Sequence, residues 1–422
     1  MSVYRELQKR GFIAQITDNE IEKYLEENKV AVYCGFDPTA ESLHIGNLVP
    51  LMGLAHFQRY GHAVLPLVGG ATGMIGDPSG RSEERNLQSV EQIERNLDAI
   101  KKQMGIVLDF DGENKAVMVN NYDWTHNMSI LDWLRDVGKH FTISYMLAKD
   151  SVKTRLASES GISYTEFSYM TLQSYDFLYL YRNYKCTMQF GGSDQWGNIT
   201  AGLELIRRVD GGKAFGMTFP LVTTSTGEKF GKSAGNAVWL DGEKTSPYQY
   251  YQYWINVTDE DVEKMLKLFT FIDVAEIEEL CSRHREEPHL RKAQTLLAEE
   301  ATKIMHGEKG LQSAKNASGA LFGGELGGLS ESELRIIFND VPSTTLSKEE
   351  IENGINIADL LVMTKMQTSK GNARRLIEQG GCYINNQKIS DIEYLTAKDS
   401  LMHDSMLIIR CGKKNYHLVS VK

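Results

Sequence analysis

Through the first 245 or so residues, short unbroken apolar runs alternate with stretches of helical period. Residues 30–36 (VAVYCGF) are such a run, ending at Asp37-Pro38, which predicts a buried strand closed by a turn. Ile45, Leu48, Met52 and Ala55 then recur at helical spacing, with Gly61 as the stop. Residues 63–68 form a second apolar run and lead into GGATGMIGDPSG. Strand, helix and strand within about 40 residues make a βαβ unit, the seed of a parallel sheet, and place this part of the chain in the α/β class. Ligands of such sheets bind beyond the carboxyl ends of the strands. Asp37 and the GGATG stretch both fall at such ends. Farther along, Ser163-Tyr-Thr-Glu166 has the capping-box pattern and opens the helix FSYMTLQSYDFLYLYRNY. In it Tyr169, Gln173 and Asp176 stand at i, i+4 and i+7 and share a face.

Residues 246–320 read as helical: Val262, Met265, Leu266 and Phe269 fall on one face, and so do Leu290, Ala293, Leu297, Ala301 and Ile304. Residues 321–354 (FGGELGGLSESE, later VPSTTLSKEE) read as a linker containing a short helix. Residues 355–422 read as a small α+β unit, helical near 357–363 and 372–379, with short strands at CYIN and MLIIR.

Composition changes this picture in four respects. The 422 residues suffice for two to four domains. The cysteines (Cys34, Cys186, Cys281, Cys382, Cys411) are odd in number and scattered, without zinc spacing, which argues against a disulfide framework and fits a reducing cytoplasm. The opening MSVYRELQKRGF has neither signal-peptide nor transit-peptide character, and nothing reaches the roughly 20 apolar residues of a membrane span, so a bacterial cytoplasm is expected. Charge is uneven: residues 355–422 carry 10 Lys and Arg against 6 Asp and Glu, a net of +4, leaving −14 on the rest of a chain whose total is −10. That asymmetry suits a nucleic-acid-facing tail on an acidic body.

Three stretches carry candidate chemistry. DPTAESLHIGNL, residues 37–48, joins a strand end to a helix start, where free N–H groups and the positive helix end make an anion site. His44 and Asn47 can donate to phosphate oxygens there, and Gly46 lets a ligand come close. The same residues also describe an ordinary helix cap. TGEKFGKS, residues 226–233, is not a P-loop, because Gly227 stands one residue too close to Gly231 and Thr226 takes the place of the first glycine. Lys229 and Lys232 are either part of a solvated turn or ammonium groups brought onto charge that develops in a transition state. The Tyr169, Gln173, Asp176 face is either a polar core network or a ligand site.

HIGN after a first strand, with KFGKS about 185 residues later, resembles the two signatures of class I aminoacyl-tRNA synthetases, usually written HIGH and KMSKS. Asn47 replaces the second histidine, and Phe230 and Gly231 replace Met and Ser; His44, Gly46 and both lysines are kept. YCGFDPT, GGATGMIGDPSGR, NNYDW, the 163–184 helix, GGSDQWGNITAG and KFGKS follow in the order and context of bacterial-type tyrosyl-tRNA synthetases. The resemblance covers essentially the whole chain. It implies a Rossmann-like catalytic domain over 1–245, a helical anticodon-arm domain over 246–320, the linker 321–354, and over 355–422 an RNA-binding module of the ribosomal S-four type.

The resemblance also implies roles. The substrate phenol would be held by Tyr33 and Asp176, the ammonium by Tyr169, Gln173 and Asp77, and the carboxyl group would lie near Gln195. An ionised carboxylate only accepts hydrogen bonds, so Asp176 rewards a ligand hydroxyl, and phenylalanine would leave it desolvated and unpaired. Asp194 would hold the ATP ribose with Cys34 and Asn47 nearby, while Gly35, Asp37, Gly46 and Gly192 bring backbone close to the nucleotide. Thr39 and His44 match contacts to the γ-phosphate. Arg81, Arg85, Lys229 and Lys232 match a pyrophosphate clamp, with Ser233 at its end. Pro50, within or just after the first turn of the helix that follows HIGN, leaves the detailed ribose fit open. ATP would enter as substrate with Mg²⁺ on its phosphates, held mainly by the substrate and not by a protein cage.

Lys370, Arg374, Arg375 and Lys388 would face tRNA phosphates, with help from Arg283, Arg285, Arg291 and Lys292. The implied partners are L-tyrosine, ATP and tRNA(Tyr), and a second copy of the chain meeting residues 130–165; no membrane is involved. No insertion is long enough to house an editing domain. A tryptophanyl-tRNA synthetase would share the fold and both signatures, but Tyr33 with Asp176 and the C-terminal module favour tyrosine. A small-molecule nucleotidyltransferase would not need the lysine loop, helical domain and RNA module together. An inactive RNA-binding paralogue would not need His44, Lys229 and Lys232.

Overall fold

Both early apolar runs form strands of one sheet. Its members are β1 (Gln15–Ile16), β2 (Ala31–Phe36), β3 (Ala63–Val68), β4 (Val119–Asn120), β5 (Cys186–Gly192) and β6 (Phe215–Phe219), in the order β1-β6-β5-β2-β3-β4. All neighbours pair in parallel except β1, which is antiparallel at one edge. The chain moves outward from β2 through β3 to β4, then returns to the other side of β2 as β5. The order therefore reverses between β2 and β5, and a crevice opens at their carboxyl ends. This computed structural model describes residues 2–79, 90–158, 161–223, 225, 230–233, 236–321, 326–338, 341–412 and 415–422.

Helix α1 (Ile45–Arg59) links β2 to β3. Pro50 lies in its interior, beyond the first turn, and withholds the N–H that would bond the Gly46 carbonyl. Helices α2 (Tyr164–Tyr184) and α3 (Trp196–Asp210) cover the sheet, burying Phe177, Leu178, Leu180, Leu205 and Ile206 against Tyr33, Leu65 and Leu67. Half of the expected capping box forms at α2: Ser163 Oγ accepts from the Glu166 N–H at 3.2 Å. The Glu166 carboxylate is drawn to the guanidinium of Arg155, in bonds of 2.8 and 3.2 Å with both side chains almost wholly buried.

The helical expectation for 246–320 is met by α4 (Pro247–Ile255), α5 (Val262–Phe269), α6 (Val274–Glu286) and α7 (Lys292–Leu321), the last interrupted at Gly307, where φ is 67° and the backbone is not helical. Val262, Met265, Leu266 and Phe269 are buried, as are Ala293, Leu297 and Ala301. Leu290 is not on that face; it sits in a single turn before α7 and is 44% exposed. By its contacts the chain divides into one unit of Met1–Thr245 with Tyr253–Met305 and another of Ser246–Gln252 with His306–Lys422.

In the second unit, β9 (Ser343–Leu346), β11 (Cys382–Ile384), β12 (Gln387–Ile389), β14 (Met406–Cys411) and β15 (Asn415–Val421) form a sheet in the order β12-β11-β14-β15-β9. The ribbon of β10 (Ile355–Asn356) and β13 (Leu395–Thr396) lies apart from it, and β7 (Lys232–Ser233) and β8 (Asn236–Ala237) form a ribbon in the first unit. Helix α8 (Glu331–Ile337) covers one face of the sheet, and α9 (Ile357–Met363) with α10 (Lys370–Glu378) covers the other. Part of the stretch read as a linker is thus structural, because β9 pairs in parallel with β15 along the sheet edge. Its polar STTL sequence hides this, since an edge strand needs only one neighbour. All five cysteines are free and buried. Among the described residues no helix is long and apolar enough to cross a membrane.

Candidate active site

A cleft of about 770 Å³ opens where the strand order reverses, lined from β2, α1, α2, β5 and the loops beyond them. It gathers Tyr33, Cys34, Gly35, Asp37, Thr39, His44, Gly46, Asn47, Pro50, Asp77, Tyr169, Gln173, Asp176, Gly192, Asp194 and Gln195, which the sequence had nominated from five separate stretches. Arg81, Arg85 and Lys229 lie outside the described residues, and Lys232 and Ser233 are described as backbone only, in β7.

At one group of residues the cleft offers a donor and an acceptor. Asp176, on α2, is buried and held by two neutral donors: Asn121 Nδ2 reaches one carboxylate oxygen at 2.9 Å and Trp124 Nε1 the other at 2.8 Å. Burial nevertheless pushes its pKa up to about 7, with the two hydrogen bonds opposing the rise. The hydroxyl of Tyr33 is buried with no hydrogen-bond partner. Burial, followed by the nearby Asp176 charge, raises its pKa well above 10, so it stays protonated. An orphaned buried hydroxyl asks for a ligand. A phenol can donate to Asp176 while accepting from Tyr33.

Beside this pair runs a chain of amides and carboxylates. Gln195 donates from Nε2 to Asp77 at 2.7 Å and to Asp194 at 3.2 Å, and accepts at Oε1 from Gln173 at 3.3 Å and Asn198 at 3.1 Å. Two carboxylates are so held at fixed spacing, fit for an ammonium and for sugar hydroxyls. Burial raises the Asp194 pKa, with the Asp77 charge adding to the rise and the Gln195 bond opposing it. Gly192 precedes Asp194 for a steric reason: a Cβ there would lie 2.4 Å from the Asp194 carboxylate oxygen.

The N-terminus of α1 differs from its expectation. Its first N–H groups are already taken: Ile45 bonds the Val238 carbonyl at 3.0 Å, Gly46 bonds His44 Nδ1 at 3.0 Å, and Asn47 bonds the His44 carbonyl at 2.8 Å. Bare amides therefore do not make the anion site. What remains is the helix dipole and side chains. With Nδ1 accepting, neutral His44 carries its proton on Nε2, and Asn47, whose Oδ1 accepts from the His44 N–H at 3.1 Å, retains Nδ2 as donor.

Asn121 and Trp124, which the sequence offers only as part of NNYDW, and Gln189 have no individual role in the sequence reading. Asn121 is fully buried, accepts from the Ala71 N–H at 2.7 Å and donates to Thr72 as well as to Asp176. Gln189 stands beside Tyr33 in the β2–β5 register, lines the cleft, and has a buried Oε1 without a partner. Its signal was a glutamine between Met188 and Phe190 in a buried strand. Among the described lining residues there are four aspartates and neither lysine nor arginine.

In the second unit, Arg374, Arg375 and Lys388 are exposed, and Lys388 lies over Gly380, just past the end of α10. Lys370 is exposed but paired with Asp359. In the helical segment Arg283 pairs with Glu279, Arg285 with Glu263 and Lys292 with Glu287, while Arg291 bonds the carbonyls of Ile255 and Val257. Each of these four has an internal partner.

A mostly parallel sheet with an acid-lined cleft at the order reversal agrees with what comparison finds. The chain belongs to the class I tRNA synthetases of the W and Y group, whose family model matches residues 25–323. Residues 333–419 match the C-terminal domain of SYY-like tyrosine–tRNA ligases, which places the chain on the tyrosine side of that group. It is 51% identical over 421 residues to the tyrosine–tRNA ligase of Roseiflexus castenholzii, covering 99% of both chains. It is 50% identical over 425 residues to tyrosine–tRNA ligase 1 of Bacillus subtilis, covering 100% of both. Among solved structures, a C-terminally truncated mitochondrial tyrosyl-tRNA synthetase of Aspergillus nidulans superposes with a TM-score of 0.70 at 31% identity, covering 76% of this chain and 94% of that one.

Proposed function

We infer that this chain is a tyrosine–tRNA ligase, which joins L-tyrosine to ATP as tyrosyl-adenylate and then transfers the tyrosyl group to the 3′ end of tRNA(Tyr). The observation that carries the substrate is the pairing, in one cleft, of a buried, doubly held Asp176 with the partnerless hydroxyl of Tyr33. Asp77, Gln173 and Tyr169 receive the ammonium, and Gln195, bonded to both Asp77 and Gln173, lies near the carboxyl group. Asp194 receives the ribose, and Thr39, His44 and Asn47 face the phosphates.

In the first step a tyrosine carboxylate oxygen attacks the α-phosphorus, the bond to the bridging oxygen breaks, and pyrophosphate leaves with the electron pair. The nucleophile is already anionic, so no side chain need remove a proton. The protein contributes positioning and compensation of charge on the leaving group. Phosphates would meet an acidic cleft, so Arg81, Arg85, Lys229 and Lys232 are the cations this reading requires. Mg²⁺ carried on the ATP phosphates would neutralise part of their charge. In the second step a hydroxyl of the terminal adenosine attacks the acyl carbon, the bond from that carbon to the phosphate oxygen breaks, and AMP leaves with the electron pair, its phosphate able to take the hydroxyl proton.

Lys370, Arg374, Arg375 and Lys388 supply the phosphate-facing surface for tRNA. The functional form is a homodimer joined through residues 130–165, where Ile130, Leu131, Leu134, Ile143, Leu147, Leu156 and Tyr164 are exposed apolar side chains. Work in a reducing cytoplasm suits the five free thiols. The test is amino-acid-dependent ATP–pyrophosphate exchange with Tyr, Phe and Trp, on wild type and Asp176→Ala. Exchange with Tyr alone, lost in the variant, is expected. Exchange with Trp instead would overturn the substrate, and a folded protein inert to all three would overturn the enzyme. A sedimentation profile that stays monomeric at every concentration would refute the dimer.

A further inference from the structure

The two signature lysines flank Phe230-Gly231, and this dipeptide is tied down on two sides. The Phe230 ring stacks on Phe269 of α5, with centroids 5.3 Å apart and planes 19° from parallel. Tyr253 and Trp254 of α4 close around it at 6.1 and 6.3 Å. Phe269 and Trp254 are fully buried, so the surface that receives Phe230 is itself fixed. The next residue adds a directional contact: the Gly231 N–H donates to the Tyr253 hydroxyl at 3.2 Å. On its other side Gly231 lies against the start of α1. A Cβ at this position would stand 3.5 Å from the Gly46 nitrogen and 4.0 Å from His44 Nδ1, and its φ of +85° also favours glycine. The Gly231 carbonyl accepts from Val238 at 2.9 Å, and Val238 in turn accepts from the Ile45 N–H at 3.0 Å. His44 pairs with Trp239, and Leu240 donates to the Leu43 carbonyl at 2.8 Å.

We propose that Phe230 and Tyr253 are positioning residues for adenylate formation, fixing the point from which Lys229 and Lys232 reach the pyrophosphate. This rests on the reading of the chain as an adenylate-forming ligase. In the sequence Lys229 and Lys232 are the covalent neighbours of Phe230 and Gly231, so what holds this dipeptide limits where the chain on either side can go. The anchor lies on the residues of the first signature at one side and on an aromatic cluster from α4 and α5 at the other. It explains why Phe stands here where the usual signature has Met: a flat ring matches the face of Phe269. A charge-compensating group misplaced by about 1 Å loses much of its effect on a transition state while leaving ground-state binding of the amino acid alone. Neither residue needs to touch substrate.

The experiment measures single-turnover formation of tyrosyl-adenylate and, separately, equilibrium binding of tyrosine. The proteins are wild type, Tyr253→Phe, Phe230→Ala and Phe230→Leu. Tyr253→Phe removes one hydrogen bond and keeps the ring; its maximal rate should fall about tenfold, with tyrosine affinity within about twofold of wild type. Phe230→Ala should lose roughly 10- to 100-fold, and Phe230→Leu, which keeps an apolar knob, should recover most of that. Unchanged rates in Tyr253→Phe and Phe230→Ala, beside an active wild type, overturn the proposal. So does a rate loss matched by an equal loss of tyrosine affinity, which is the mark of general damage. A wild type that forms no adenylate fails the underlying reading, and is told apart because it does so before any substitution is made.

Discussion

Asp176→Asn tests the cleft through stability and activity together. In the folded protein burial holds the Asp176 carboxyl up to about 7. Unfolded, it returns to about 3.9. A group whose folded pKa is raised contributes stability that is fully present below the unfolded value and is lost as pH rises through the folded one. At about 1.4 kcal/mol per unit, the loss between those limits is on the order of 4 kcal/mol, most of it between pH 5 and pH 8. Asparagine does not titrate and escapes this loss. It has its own, pH-independent cost: its amide offers only one acceptor, so either Asn121 Nδ2–H or Trp124 Nε1–H faces another donor, at about 1–3 kcal/mol. The variant should therefore gain on wild type by roughly 3 kcal/mol between pH 5 and pH 8. Urea unfolding of both proteins at the two pH values, followed by tryptophan fluorescence, measures it. A stability difference independent of pH, or one of opposite sign, would refute the argument that Asp176 is a buried carboxylate kept at a cost to the fold.

Activity should move the other way. Replacing a charged acceptor removes about 1.5–3 kcal/mol of hydrogen bonding to the phenol, a loss of roughly 10- to 150-fold in kcat/KM for tyrosine. In wild type kcat/KM for tyrosine should rise with pH through about 7, since that parameter reports the free enzyme, and the rise should vanish in Asp176→Asn. A variant more stable at pH 8 and less active is what a functional group held against its own burial predicts.

Tyr33→Phe should weaken tyrosine binding about 2- to 10-fold while leaving the free protein as stable or up to about 1 kcal/mol more so, because its hydroxyl has no partner; calorimetric binding and a thermal melt read both, and unchanged affinity sinks the phenol site. Arg155→Ala should cost about 3–5 kcal/mol by stranding the buried Glu166 carboxylate, whereas Arg155→Met with Glu166→Leu should recover most of it; equal losses in both would show the packing and not the stranded charge to be responsible. Replacing Lys370, Arg374, Arg375 and Lys388 together with alanine should flatten the salt dependence of tRNA binding by roughly three log units per log unit of salt, and an unchanged slope would place the RNA elsewhere.

What the sequence conveys well is periodic. The strands at 31–36 and 63–68, the helix after HIGN, and the shared face of Tyr169, Gln173 and Asp176 follow from spacing, and the structure keeps them. What it conveys poorly is whatever depends on a partner far along the chain. Asn121 and Trp124 stand 55 and 52 residues from the carboxylate they hold, so NNYDW marks the stretch but not what its side chains bond. The strand at 343–346 exists because residues 418–421 lie beside it, and its own polarity argues the opposite. The same blindness explains the overestimated anion site: an isolated helix start has free N–H groups, but here a carbonyl from Val238 has already taken one. That carbonyl belongs to the segment following the lysine signature. The two signatures, which the sequence offers only as a pair of short motifs about 185 residues apart, meet in the fold because the backbone after the second one bonds the helix that begins in the first. Any change that breaks the bond between Ile45 and Val238 should therefore disturb both halves of the ATP site at once, although it touches neither lysine nor histidine.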